Sequence, residues 1–154
     1  MLTNSRAHRI LWSECDPAGI VFYPRYFEMF DTSTTRLFEK ATGMSAAQLF
    51  KHHDVIGYPL VDARARFVLP LAFSDDIVIE TEVAEFRRSS FEMRHQLLKD
   101  GKLAVEGFET RVWVGRHPDD PGRMKSQPIP REIIAKFSVA DVSSLSPRAG
   151  RGSG

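Results

Sequence analysis

A single cysteine, Cys15, stands in a chain of 154 residues, so no internal disulfide can form and no cysteine-rich metal cage is available. Such usage suits a reducing compartment. No run approaches the roughly 20 apolar residues that cross a bilayer. The opening residues, Met1 to Trp12, have neither the apolar stretch nor the small-residue cleavage site of a secretory leader, and the cytoplasm is the expected location. Charge of one sign is also missing. The formal net charge is +1, which gives no bulk field for nucleic acid or an anionic membrane surface. Any anion must therefore be held locally. There is no glycine-rich phosphate loop and no Gly-x-Ser-x-Gly nucleophile elbow. The pair His52-His53, followed by Asp54, offers neighbouring rather than same-face ligands, and no metal is expected.

Apolar residues make up 42% of the chain and charged residues 27%, the balance of a globular domain. Residues 1–137 read as one domain. Residues 138–154, rich in Ser and Gly, read as a flexible polar tail with too little apolar surface to offset the entropy of ordering. Within the domain, the weak alternation from Ala7 to Ser13 predicts a first strand. Pro24 to Ala41 predict the main helix. Pro24 suits a first helical position, Phe27, Phe30, Leu37, Phe38 and Ala41 recur at three- and four-residue steps, and Gly43 marks the stop. The polar patch from Asp31 to Thr35 has low helix propensity, so tertiary packing must hold it. A short second helix is expected from Ser45, with Gln48 completing a capping box.

Thereafter the period becomes two. Val61, Ala63, Ala65 and Phe67 alternate with Asp62, Arg64 and Arg66, predicting a strand with one wet face. Ile77, Ile79, Thr81 and Val83 predict another. Ser90–Lys99 and Leu103–Gly115 predict two more, joined by Asp100-Gly101, a strong hairpin signal. Pro130 to Phe137 predict a last short helix. The order implies an α+β fold in which an antiparallel sheet of about five strands wraps one long helix. An open sheet edge invites a second subunit.

Chemistry is concentrated in Ser13-Glu14-Cys15-Asp16-Pro17-Ala18-Gly19-Ile20-Val21-Phe22-Tyr23-Pro24, between a strand end and a helix start. Asp16-Pro17 with Gly19 predicts a tight turn. Two readings of Asp16 follow. It caps the turn or the helix, or it is a hydrolytic carboxylate beside helix N–H groups that can hold an oxyanion. Arg87-Arg88 beside Ser89-Ser90 suits phosphate, since guanidinium forks bind it bidentately. A solvated turn is the alternative. Cys15 reads as a packed strand-end residue, and Trp12, Trp113 and the Phe residues as core or interface.

The stretch from Asp16 to Asp31 resembles the opening motif of the hotdog thioesterases, specifically the Asp-bearing branch of the 4-hydroxybenzoyl-CoA thioesterase family. The matching residues are Asp16, Gly19, Ile20, Val21, Phe22, Tyr23 and Tyr26. The resemblance continues through Ile56-Gly57-Tyr58-Pro59-Leu60-Val61, Phe73-Ser74-Asp75-Asp76 and Glu85-Phe86-Arg87-Arg88-Ser89-Ser90-Phe91, to about Phe137. It implies a hotdog fold whose sheet extends across a dimer, with dimers paired into tetramers. The implied activity is hydrolysis of an acyl-CoA thioester, with Asp16 as nucleophile or general base and the Tyr23 N–H polarising the carbonyl. No cofactor is implied, coenzyme A being part of the substrate.

The resemblance further points to Gly19, Asp31, Tyr58 and Pro59 as substrate-binding residues, with Asp31 where close relatives receive a phenolic hydroxyl. Arg87, Arg88, Ser89 and Lys125 fall at coenzyme A-binding positions. Ser89 replaces a lysine of those relatives, and Ala46 stands where they carry a tryptophan. The acyl group implied is aromatic, of the 4-hydroxybenzoyl or benzoyl kind. The alternatives are a broad short-chain acyl-CoA thioesterase and a non-catalytic hotdog module that binds acyl-CoA or an acyl carrier.

Overall fold

The structure is a computed structural model and describes residues 1–138. Apart from Ser138, the tail expected from residue 138 lies outside the described residues. The longest helix, α1, spans Pro24–Thr42, and Gly43 closes it in the left-handed conformation with its N–H on the Glu39 carbonyl. Only glycine adopts that conformation without steric cost. Ser45 caps the short helix α2 (Ala46–His52), and its hydroxyl and the Gln48 side chain exchange hydrogen bonds with each other's backbone N–H. Five strands, β1 (Thr3–Arg9), β2 (Leu60–Phe67), β3 (Asp76–Phe86), β4 (Ser90–Lys99) and β5 (Lys102–Val112), form one sheet in the order β1-β3-β4-β5-β2. Every neighbouring pair is antiparallel. Asp100 and Gly101 both take positive φ and turn β4 directly into β5. A two-stranded hairpin, β6 (Val114–Arg116) with β7 (Met124–Ser126), and the helix α3 (Arg131–Phe137) complete the chain.

The sheet lies against α1, the hotdog arrangement. α1 buries Tyr26, Met29, Phe30, Ser33, Thr34, Leu37 and Phe38. Two apolar clusters form. One gathers Leu37, Phe38, Tyr58, Phe91, Trp113 and Phe137, and the other gathers Ile10, Tyr26, Phe30, Leu71, Ile79 and Leu97. The helix packs tightly on the sheet at Gly107, where an added Cβ would overlap the Phe30 ring. On the neighbouring strand, opposite Gly107, lies His95, and the Phe30 ring stacks on it at 4.8 Å and 10°. The missing side chain at residue 107 is what admits Phe30.

Three expectations change. The first strand runs Thr3–Arg9 rather than Ala7 to Ser13, because the chain turns into a 3-10 segment at Trp12–Glu14, where the Glu14 side chain accepts the Leu11 N–H at 2.7 Å. The last long strand ends at Val112, and a short β6 follows that pairs with an unexpected β7. Finally, the predicted dry face of β2 is only partly covered. Ala63 and Ala65 are half-buried, Ala65 against the second cluster, but Val61 is 60% and Phe67 53% exposed, β2 being an edge strand of the sheet.

Replacing Gly107 by Ala is expected to lower the unfolding free energy by about 1–3 kcal/mol through overpacking. Phe30→Leu in the same chain should recover part of the loss, as read by urea titration.

Candidate active site

The Asp16 segment folds back on itself as a short hairpin. The Asp16 N–H donates to the Ile20 carbonyl and the Gly19 N–H to the Asp16 carbonyl, both at 2.9 Å, while the Phe22 N–H reaches the Glu14 carbonyl at 2.8 Å. Gly19 serves this turn with φ +83°. A further bond, from the Val21 N–H to the Leu71 carbonyl at 2.8 Å, ties the hairpin to the segment between β2 and β3. The Asp16 carboxylate is half-buried, and its Oδ1 accepts the Ala18 N–H at 2.9 Å. Asp16 thus closes its own turn and makes no cap on α1. Both readings of the sequence survive, since one oxygen is structural and the other, Oδ2, has no partner among the described residues.

At the opposite end of the hairpin α1 begins. Pro24 has no N–H. The Arg25 and Tyr26 N–H groups are taken by the Phe22 and Tyr23 carbonyls at 2.9 and 3.1 Å. Among the described residues the Tyr23 N–H donates to nothing, so it is the open donor at the positive end of the helix. A cleft of about 310 Å³ opens beside it, lined by Ile20, Tyr23, Tyr26, Phe67, Val68 and Leu69 among others. Asp16 does not line that cleft, and no hydrogen bond joins it to Tyr23.

The expected coenzyme A residues are split. Arg87 is engaged by Glu85 at 2.9 Å and Glu92 at 3.0 Å, a pairing that the basic dipeptide did not reveal. Arg88 is exposed. Its carbonyl accepts the Ile129 N–H at 2.8 Å, and the Ser89 carbonyl accepts the Trp113 N–H at 2.7 Å. These bonds join the Arg87–Ser89 turn to the residues flanking the strand pair β6–β7, and Lys125 on β7 is exposed. Of the expected substrate residues, Asp31, Tyr58 and Pro59 line one cavity of about 350 Å³ with Ala46 and Arg111. Gly19 is not among its lining residues.

Beneath that cavity runs a buried polar seam that sequence reasoning missed. Glu109 Oε1 accepts from Thr34 Oγ1 and from His95 Nε2, both at 2.8 Å, and Oε2 accepts from Arg111 Nη2 at 2.7 Å. Arg111 Nη2 also donates to Asp31 Oδ1 at 2.9 Å. With Glu109 ionised and accepting only, His95 carries its proton on Nε2, and Nδ1 receives the Thr81 hydroxyl at 2.9 Å. Burial pushes the His95 imidazole down. Burial acts to raise the Glu109 carboxyl, but His95 and Arg111 outweigh it and hold it at about 2. The signal was present in the strands: His95, Glu109 and Arg111 occupy inward positions of β4 and β5, in line with Phe91, Met93, Leu97 and Val105. Thr34, from the polar patch of α1, faces them, while its neighbour Ser33 accepts from Arg6 on β1.

Residues 10–137 match the thioesterase-like superfamily. The chain belongs to that family. It is 31% identical over 131 residues to the 4-hydroxybenzoyl-CoA thioesterase of Pseudomonas sp. strain CBS-3, spanning 82% of this chain and 91% of that protein. A mutant 4-hydroxybenzoyl-CoA thioesterase solved with 4-hydroxybenzoyl-CoA superposes with a TM-score of 0.79 at 30% identity, covering 88% of this chain and 99% of the other. A gentisyl-coenzyme A thioesterase superposes with a TM-score of 0.73 at 29% identity, covering 88% and 100%. As a member of this superfamily the chain is an acyl-CoA thioesterase. No helix among the described residues is long and apolar enough to cross a membrane.

The seam gives this thioesterase an acid-sensitive core. Glu109 titrates near 4.5 when unfolded and near 2 when folded, so its contribution is full above about pH 4.5 and is lost as pH falls toward 2. A His95 held neutral binds its proton more readily in the unfolded chain, so stability already declines as pH drops below the ordinary value of 6.5. Urea unfolding from about pH 7.5 down to about pH 4 should therefore give a steadily falling midpoint. A flat profile contradicts this reading of the seam.

Proposed function

We propose that the protein hydrolyses an aromatic acyl-CoA, of the 4-hydroxybenzoyl-CoA kind, to the free acid and coenzyme A. The observation that carries the mechanism is the open Tyr23 N–H at the start of α1, on the same hairpin as the Asp16 carboxylate. In this reading the Tyr23 N–H and the helix dipole hold the thioester oxygen as it gains charge, an effect worth about 3–4 kcal/mol per donor. Asp16 Oδ2 either attacks the acyl carbon, expelling the thiolate and leaving an anhydride for water to open, or takes a proton from the attacking water. The Ala18 N–H on Oδ1 fixes the direction of the carboxylate in both routes.

Aromatic specificity is supported by the relatives named for 4-hydroxybenzoyl-CoA and gentisyl-CoA. The cavity holding Asp31, Tyr58 and Pro59 is the candidate acyl pocket. Ala46 on its wall, in place of the relatives' tryptophan, leaves room for a larger or differently substituted ring. Arg88, Ser89 and Lys125 are the candidate phosphate contacts, with Arg87 sharing its charge between Glu85 and Glu92.

A second copy of the chain fits the uncovered β2 edge. Phe67, Val68 and Leu69 are exposed there and also line the cleft at Tyr23, so a partner seated on this edge would roof the cleft and bury apolar surface. Pairing of such dimers into tetramers follows the family resemblance.

Asp16→Asn should keep the fold and lower kcat on 4-hydroxybenzoyl-CoA by at least about 100-fold. Near-normal turnover by the folded variant would remove Asp16 from the mechanism. Asp31→Ala should cost 4-hydroxybenzoyl-CoA more than benzoyl-CoA in kcat/KM, and equal losses would end its role in hydroxyl recognition.

A further inference from the structure

Glu14 stands two residues before Asp16, and its side chain is largely withdrawn from solvent, 14% exposed. Donors from two places meet its carboxylate. Oε1 accepts the Leu11 N–H at 2.7 Å and His8 Nε2 at 2.9 Å, and Oε2 lies 3.1 Å from the same nitrogen. An ionised carboxylate only accepts, so His8 carries a proton on Nε2. The backbone of Glu14 is engaged as well, its carbonyl accepting the Phe22 N–H at 2.8 Å. This one residue therefore fastens the two arms of the Asp16 hairpin to each other and, through His8, to β1.

β1 is a common reference for the two halves of the candidate site. Its half-buried residues are Asn4, Arg6 and His8, which share one face of the strand. Arg6 reaches α1, with Nε on Ser33 Oγ at 2.9 Å and Nη2 on the Met29 carbonyl at 3.1 Å. His8, two residues along, reaches the hairpin. Helix and hairpin are thus attached to neighbouring positions of one strand, itself paired with β3 from Thr3 to Arg9. Between the attachments lies Phe22. Glu14 holds its N–H, its carbonyl accepts the Arg25 N–H at 2.9 Å, and the next amide is the open Tyr23 donor. The Ala18 N–H sets the bearing of the Asp16 carboxylate inside the hairpin, whereas the His8–Glu14 contact sets where the hairpin rests against the start of α1. We propose that His8 and Glu14 are positioning residues for hydrolysis: their hydrogen-bonded pair holds the hairpin so that Asp16 and the Tyr23 N–H address one thioester group. The proposal rests on the roles given to Asp16 and Tyr23 above and deepens them. Neither His8 nor Glu14 lines the cleft at Tyr23 or the cavity holding Tyr58, so both act on turnover through other residues.

The test compares wild type, His8→Ala, His8→Asn and His8→Gln on 4-hydroxybenzoyl-CoA. Glutamine carries its amide N–H near the place of the imidazole Nε2, whereas asparagine ends one carbon short. Misplacing reacting groups by about 1 Å costs up to about 100-fold in rate. His8→Ala and His8→Asn should therefore lower kcat by at least about tenfold, with KM held within about twofold. His8→Gln should return kcat to within about threefold of wild type. Normal kcat in folded His8→Ala overturns the proposal, as does a loss carried by KM or a glutamine variant no better than the asparagine one. Amide hydrogen exchange reads the clamp without turnover. The Phe22 N–H should exchange at least about tenfold faster in His8→Ala and near the wild-type rate in His8→Gln, with the amides shared by β3 and β4 unchanged. Unaltered exchange at Phe22 in His8→Ala overturns the proposal. If Asp16→Asn keeps its turnover, the role of Asp16 fails, while exchange at Phe22 still decides whether the pair holds the hairpin.

Discussion

The Glu109 carboxylate is the point from which the interior is organised. It sits on β5 beneath α1 and accepts from the helix through Thr34, from β4 through His95 and from its own strand through Arg111. A buried anion is tolerated only when its lone pairs are met, and here three elements must dock together to meet them. The two apolar clusters on either side supply most of the burial, a force without direction. The seam between them supplies register: slide the helix by one turn and Thr34 leaves Glu109. Phe30 stacked on His95 over Gly107 fixes the same alignment from the apolar side.

This seam connects fold to site. The elements that hold Glu109 also deliver Asp31 and Arg111 to one cavity wall, and α1 starts two turns earlier at the open Tyr23 amide. One helix therefore presents both ends of a candidate thioester site, with its rotation fixed by a hydrogen-bonded core. The polar stretch from Asp31 to Thr35, a poor helix former, persists because its side chains are used: Ser33 accepts Arg6 Nε at 2.9 Å, and Thr34 donates to Glu109. Propensity lost locally is offset by tertiary hydrogen bonds.

Much of the architecture was legible because it rests on local rules. Gly43 ends α1 and Ser45 caps α2, while Asp100-Gly101 turns a hairpin, each through backbone preferences that few residues satisfy. The Asp16 turn was legible for the same reason. Its chemical meaning came from resemblance, because an Asp that closes its own turn looks identical in sequence to one that also reacts. The short β7, the early end of β1 and the partly covered face of β2 were not legible, since each depends on distant chain. Period-two alternation tells which residues share a face and says nothing of whether that face is covered. Glu109, Arg111 and His95 were not legible as a buried group, because charged residues on strands mostly face solvent. Their inward register was visible, but their partners lie on other elements.

The bond from the Ala18 N–H to Asp16 Oδ1 has a consequence for how such a chain can diverge. The oxygen is aimed by an amide two residues along the same backbone, so no remote side chain governs its bearing. Substitutions across the sheet or along α1 shift where the hairpin rests without turning that carboxylate within it. A lineage can reshape the walls of its cavities freely while the direction of this one group is inherited with four residues.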